Sequence, residues 1–190
     1  MRGTRIAGVL ATVSIAAGLA GALPAVAHAE ERVCRGSIGA RTLDNVRVPT
    51  GATCTLTRTV VKGTIKVQRG GTLVANNVRV VGNVQAEGAR NVVVRRASRV
   101  GGSVQVKQGG RASVLGSRIT GDIQYDANRG LLRANWNRVG GSIQVVGNRG
   151  GARIFRNVVN GNLQCKENAP RPRGDNNRVG GNKEDQCRRF

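Results

Sequence analysis

The sequence predicts an all-β chain, a single-stranded right-handed parallel β-helix with about 20 residues per coil and about seven or eight coils. Residues 30–190 would form it, behind a leader of residues 1–29. Three observations lead there. A short motif recurs seven times in phase, the motif alternates apolar and polar residues with period two, and four cysteines lie about one coil apart near the two ends.

The motif is Gly-x-aliphatic-Gln-apolar. Its copies begin at Gly63, Gly82, Gly102, Gly121, Gly141, Gly161 and, in degenerate form, Gly181, so the spacings are 19, 20, 19, 20, 20 and 20. Two residues before each glycine stands an aliphatic residue: Val61, Val80, Val100, Ile119, Val139, Val159 and Val179. Apolar side chains two residues apart point to the same side of an extended strand. A second β-like patch falls mid-repeat, at Thr72–Ala75, Asn91–Val94, Arg111–Leu115, Leu131–Ala134 and Ala152–Phe155. Glycine pairs such as Gly70-Gly71, Gly109-Gly110 and Gly150-Gly151 supply corners.

A coil of this size cannot bury its apolar row alone; stacking coils makes a continuous aliphatic core. Ile65, Val84, Val104, Ile123, Ile143 and Leu163 would form one interior column, and Val67, Ala86, Val106, Tyr125, Val145 and Cys165 the next. A repeat of 19–20 without strict hexapeptides favours the right-handed form over the left-handed one. A β-sandwich, built on hairpins, would not hold one motif in phase for seven copies.

Four cysteines allow three pairings. Cys34 and Cys54 are 20 apart, and Cys165 and Cys187 are 22 apart across the insertion at Pro170–Gly174. Stacked neighbours lie within the roughly 4.4–6.8 Å that a disulfide spans between Cα atoms. The expected bonds are therefore Cys34–Cys54 and Cys165–Cys187.

The first 29 residues read as a secretory signal peptide. Arg2 and Arg5 begin it, an apolar run from Ile6 to Ala22 follows, and Ala27-His28-Ala29 offers a small-x-small cleavage site before Glu30. Cleavage would give a secreted, extracellular or cell-wall-associated protein with no membrane span. It would also remove His28, the only histidine, and with it any imidazole base or metal ligand. No metal and no small-molecule cofactor is expected.

The whole chain carries 31 Lys plus Arg against 10 Asp plus Glu. Without Arg2 and Arg5 the balance is 29 to 10, a formal +19. Such a basic protein points towards anionic partners. With four aromatic residues in all, an aromatic-lined nucleic-acid reader is excluded. Aligning the repeats places Arg79, Arg99, Arg118 and Arg138 in one column, interrupted by Val158 and resumed at Arg178. Gln85, Gln105, Gln124, Gln144 and Gln164 fall in another, headed by Lys66 and ended by Glu184. A third holds Thr64, Asn83, Ser103, Asp122, Ser142, Asn162 and Asn182. Parity puts all three on the solvent face of one sheet. The Gln row reads as an outer amide ladder, and the Arg column reads either as a solvated stripe or as an anion-binding one.

Catalysis has little to stand on. Asp122 and Asp126 are the close acidic pair outside the C-terminal tail, and two carboxylates can in principle serve a glycosidase. Nothing in the sequence encloses them. Trp136, between Asn135 and Asn137, reads as a corner residue, with sugar stacking as the alternative.

The segments Cys34-Arg35-Gly36-Ser37-Ile38-Gly39, Val46–Leu56, Gly161–Lys166 and Gly180–Cys187 resemble a group of small secreted β-helix repeat proteins of actinobacteria. The resemblance spans nearly the whole of residues 30–190 and implies secretion and a β-helix; it carries no activity and no site residue across. More loosely, the stacked Gly-x-Val-Gln pattern is similar to bactofilin-type repeats, which polymerise end to end in the cytoplasm. A signal peptide and disulfide-tied ends point away from both properties here.

The sequence thus leads to a secreted, non-catalytic protein, monomeric in its simplest form. It would bind an anionic polymer, such as teichoic acid, acidic polysaccharide or DNA, through its Arg and polar columns. A self-assembling surface protein is the second expectation, and a polysaccharide-acting enzyme the third. Lys183 and Asp185 in the apolar slots of the last copy form a polar cap, which counts against end-to-end assembly.

Overall fold

The computed structural model describes residues 30–190; the segment read as a signal peptide, residues 1–29, lies outside the described residues. The chain winds as a parallel β-solenoid with three flat faces. Nine strands form sheet A, eight form sheet B and eight form sheet C, each strand hydrogen-bonded in parallel to its counterparts one coil before and after. One coil runs through Val84–Glu87 in sheet A, Asn91–Arg95 in sheet B and Arg99–Val100 in sheet C before the next begins at Val104. Helical structure is absent among the described residues.

The two interior columns expected from the sequence are those observed. Val84 pairs with Ile65 and Val104, and Ala86 with Val67 and Val106, so each apolar side chain stacks on its equivalent. All of these are buried, along with inward residues of the other sheets such as Leu73, Val92 and Val94 in sheet B and Val100 and Ile119 in sheet C. Each such aliphatic side chain stabilises the fold by about 1.5–3 kcal/mol relative to an exposed one. The mid-repeat strands also form where expected, as in Thr72–Asn76, Asn91–Arg95 and Leu132–Asn135. Tyr125 is the one large polar-tipped side chain in the core, and its hydroxyl donates to the Arg133 carbonyl of sheet B at 2.8 Å.

Both expected disulfides are present, Cys34–Cys54 and Cys165–Cys187, with Cα separations of 5.5 and 5.2 Å. In the last coil Lys183 pairs with Leu163 and Asp185 with Cys165, so charged residues do occupy the terminal apolar slots.

The three corners carry polar ladders between coils. At the C–A corner the residue after each motif glycine serves the coil that follows: Ser103 N donates to Asn83 Oδ1 at 2.8 Å, Asp122 N to Ser103 Oγ at 2.9 Å and Ser142 N to Asp122 Oδ1 at 2.7 Å. The A–B corner runs the other way. Asn128 N donates to Asn148 Oδ1 at 2.8 Å and Asn148 N to Asn168 Oδ1 at 3.0 Å, so each asparagine serves the coil before it. The B–C corner repeats this with Asn137, Asn157 and Asn177. These asparagines are buried, and each follows a residue of positive φ: Ala127, Gly147 and Glu167 at one corner, Trp136, Arg156 and Asn176 at the other. The left-handed residue turns the chain inward, and the amide then satisfies backbone groups that the corner takes out of the sheets.

Candidate functional site: an arginine face

The strands of sheet C are two residues long, one side chain pointing in and one out. Arg79, Arg99, Arg118 and Arg138 are the outward ones, consecutive and in register, and all are exposed. Val158 follows, 37% exposed, and then Arg178. Stacked strands set these residues about 4.8 Å apart along the axis. No strand of sheet C contains an Asp or Glu, and among the described residues none of these arginines forms an ion pair. Neighbouring guanidinium groups repel by about 1 kcal/mol per pair in water.

Sheet B continues the positive face. Arg133 pairs with Arg153 and Arg153 with Arg173, giving a second in-register column on the outer side of the adjoining sheet. Sequence reasoning passed over this column because the register of the mid-repeat strands wandered by a residue, although the spacing of 20 was there to be read. Asp175 is the single acidic residue in the strands of sheet B. The corner between the two sheets adds Arg58, Arg96 and Arg156, and holds Trp136, which is 57% exposed.

The expected coplanarity of the Arg, small-polar and Gln rows does not hold. The motif glycine is a corner, not a mid-strand residue: the Arg row lies on sheet C and the Gln row on sheet A. At this corner the backbone comes so close to the preceding coil that a Cβ on Gly101 would overlap Val81 O and one on Gly102 would overlap Asn83 Oδ1, so the bend takes glycine. The two rows therefore face different directions, and one straight ligand cannot lie on both.

Gln85, Gln105, Gln124, Gln144 and Gln164 do stack in register on sheet A. The amide ladder is partial. Gln105 Nε2 donates to Gln124 Oε1 at 3.0 Å and Gln85 Nε2 reaches Gln105 Oε1 at 3.5 Å, but Gln124 Nε2 turns to Asp122 Oδ2 at 3.4 Å. The continuous side-chain ladders are the buried asparagines. They recur at 20-residue intervals in the sequence, Asn128, Asn148, Asn168 and Asn137, Asn157, Asn177, a signal as regular as the Gln row.

Asp122 is not on a free outer row. It is half-buried at the C–A corner, where its carboxylate accepts the Ser142 N–H, so its role is structural. Asp126 ends its sheet A strand, exposed, opposite Lys107 and Val146. The two carboxylates sit in different settings, one tied into the corner ladder and one exposed at a strand end. No family model, curated protein or solved structure matches the chain.

Proposed function

We propose that the protein is a secreted, non-catalytic binding protein that holds an anionic polymer of the cell envelope or extracellular space along its arginine face. The observation that carries this is the unbroken run Arg79–Arg99–Arg118–Arg138 on a sheet free of acidic residues. A regular row of planar, always-charged forks matches the repeating phosphates or carboxylates of teichoic acid, acidic polysaccharide or DNA. The Arg133–Arg153–Arg173 column widens the face on the adjoining sheet.

Retention on purified envelope polymers and on DNA across a salt series tests the proposal. Binding to one polymer that survives physiological salt, and falls at least tenfold when the four sheet C arginines become glutamine, supports it. Equal, salt-labile binding to every polyanion refutes it and leaves charge alone. The single tryptophan gives a second readout: Trp136 is two residues from Arg138 and exposed, so its emission shifts when a ligand covers this face. Sedimentation at several concentrations separates polymer binding from self-assembly.

A further inference from the structure

A concavity lies elsewhere, on the outer side of sheet A near its N-terminal end. It is an open groove of about 610 Å³. Its rim holds Lys66, Arg69 and Lys107, the amides of Gln85 and Gln105, and Glu87; Val67 and Ala86 border it through their backbone, their side chains being buried in the core.

The groove arises from a change of turn between successive coils. The second and third A–B corners close with a β-turn: Ala52 N donates to Pro49 O at 3.0 Å with Gly51 at φ 70°, and Gly71 N to Gln68 O at 2.9 Å with Gly70 at φ 67°. From the fourth coil on, the left-handed residue follows the sheet A strand directly, at Gly88, Gln108, Ala127, Gly147 and Glu167. Arg69 sits at the tip of the last β-turn, and its stem lies against the glycine of the next coil: a Cβ on Gly88 would come within 3.3 Å of Arg69 Cγ. The cation is thus carried forward over the fourth coil by a backbone step.

The rim is electrostatically unbalanced. Arg47, which also borders the groove, is paired with Glu31 at 2.6 Å. Lys66, Arg69 and Lys107 form no ion pair among the described residues, and Glu87 is the sole carboxylate on the rim. Gln85 Nε2 reaches Gln105 Oε1 only at 3.5 Å while Gln105 Nε2 is held by Gln124 Oε1 at 3.0 Å, so the Gln85 amide and Gln105 Oε1 are the groups open to a ligand. No aromatic side chain lines the space.

We propose that this groove is a separate binding site for a sugar unit bearing an oxyanion, a sugar phosphate or a uronate. Lys66, Arg69 and Lys107 take the oxyanion, and the Gln85 amide with Gln105 Oε1 takes ring hydroxyls. The volume falls within the range of about 300–1,000 Å³ of small-ligand sites. The site is on a different sheet from the arginine face and does not depend on it.

Calorimetric titration of the purified oxidised protein with glucose 1-phosphate, glucuronate, glucose and inorganic phosphate provides the test. The expected result is saturable binding of one or both acidic sugars, at least tenfold tighter than glucose or inorganic phosphate. Lys66→Gln or Arg69→Gln should weaken it at least tenfold, while Arg79→Gln with Arg118→Gln leaves it unchanged. Gln85→Ala should weaken the acidic sugar and leave residual phosphate binding as it was. Inorganic phosphate binding as tightly as the sugars, equal loss from the sheet C variants, or no saturable heat with any of the four overturns the proposal. Lys66 and Arg69 are exposed, so an unchanged melting temperature confirms that each variant is folded.

Discussion

Asn83 and Gly102, on successive coils, share one volume. The Asn83 amide oxygen stands where a Cβ on Gly102 would have to be, and from there it accepts the Ser103 N–H at 2.8 Å. The same relation joins Asp122 to Gly141 and Asn162 to Gly181. The motif glycine is therefore required by the side chain of the coil before it.

Gly102→Ala should then cost about 2–4 kcal/mol, from overpacking and the displaced hydrogen bond. Gly102 does not have a positive φ, so the cost is steric. Adding Asn83→Ala should relieve part of it, giving a non-additive double-mutant cycle in denaturant unfolding. Gly116 offers the contrast. A Cβ there meets nothing within 4 Å, but φ is 54°, so Gly116→Ala should cost only about 1 kcal/mol, the strain of the left-handed region.

The two kinds of amide column should differ sharply in weight. Asn148 is fully buried, and Asn148→Ala removes the acceptor for Asn128 N and Nδ2 together with its own bonds to Tyr125 O and Asn168 Oδ1. A loss of about 2–4 kcal/mol is expected, because buried groups are left unpaired. Gln144→Ala, in the outer row of the same coil, should stay within about 0.5 kcal/mol.

Tyr125 makes stability depend on alkaline pH. Burial pushes its phenol well above the ordinary value of 10.0. Above about pH 10 the unfolded chain releases this proton while the folded chain keeps it, so stability falls as pH rises, by up to about 1.4 kcal/mol per unit. Below that pH the group contributes no slope. Tyr125→Phe should flatten this part of the decline in urea titrations from pH 9 to 11, at a cost of about 1 kcal/mol at neutral pH.

Replacing Cys34 and Cys54 together by serine releases a loop of 20 residues and should cost about 3 kcal/mol. The loss should appear as a lower denaturation midpoint. Arg79, Arg99, Arg118 and Arg138 changed to glutamine should leave that midpoint unchanged or raise it slightly, since the substitution removes like-charge repulsion.

The solenoid, its interior columns and both disulfides were legible in the sequence because they depend on period and spacing alone. Val84 above Ile65 follows from counting. The corners were not legible, because Gly-Asn-Val-Gln reads equally well as one strand and as a bend followed by a strand. Only the close approach of Gly102 to Asn83 decides between them, and that is a contact between residues 19 apart. The same ambiguity set the Arg and Gln rows on one face when they belong to two. Arg69 escaped notice for a different reason: its position follows from a switch of turn type at Gly70 and Gly88, which share a glycine and differ in where the strand ends.

The corner ladders point in opposite directions along the axis, with Asn83 serving the coil after it and Asn148 the coil before. Where both run, as between the coils of Asp122 and Ser142, the junction is tied from both sides, and each rung is donor to one neighbour and acceptor from another. A gene encoding such a chain has a quantised length. Inserting or removing a few residues within a turn throws three ladders and three sheets out of phase together, whereas gaining or losing a whole turn leaves every surviving junction as it was. Variation among descendants of this chain should come in steps of one coil, and the arginine face should lengthen or shorten with it, one guanidinium at a time.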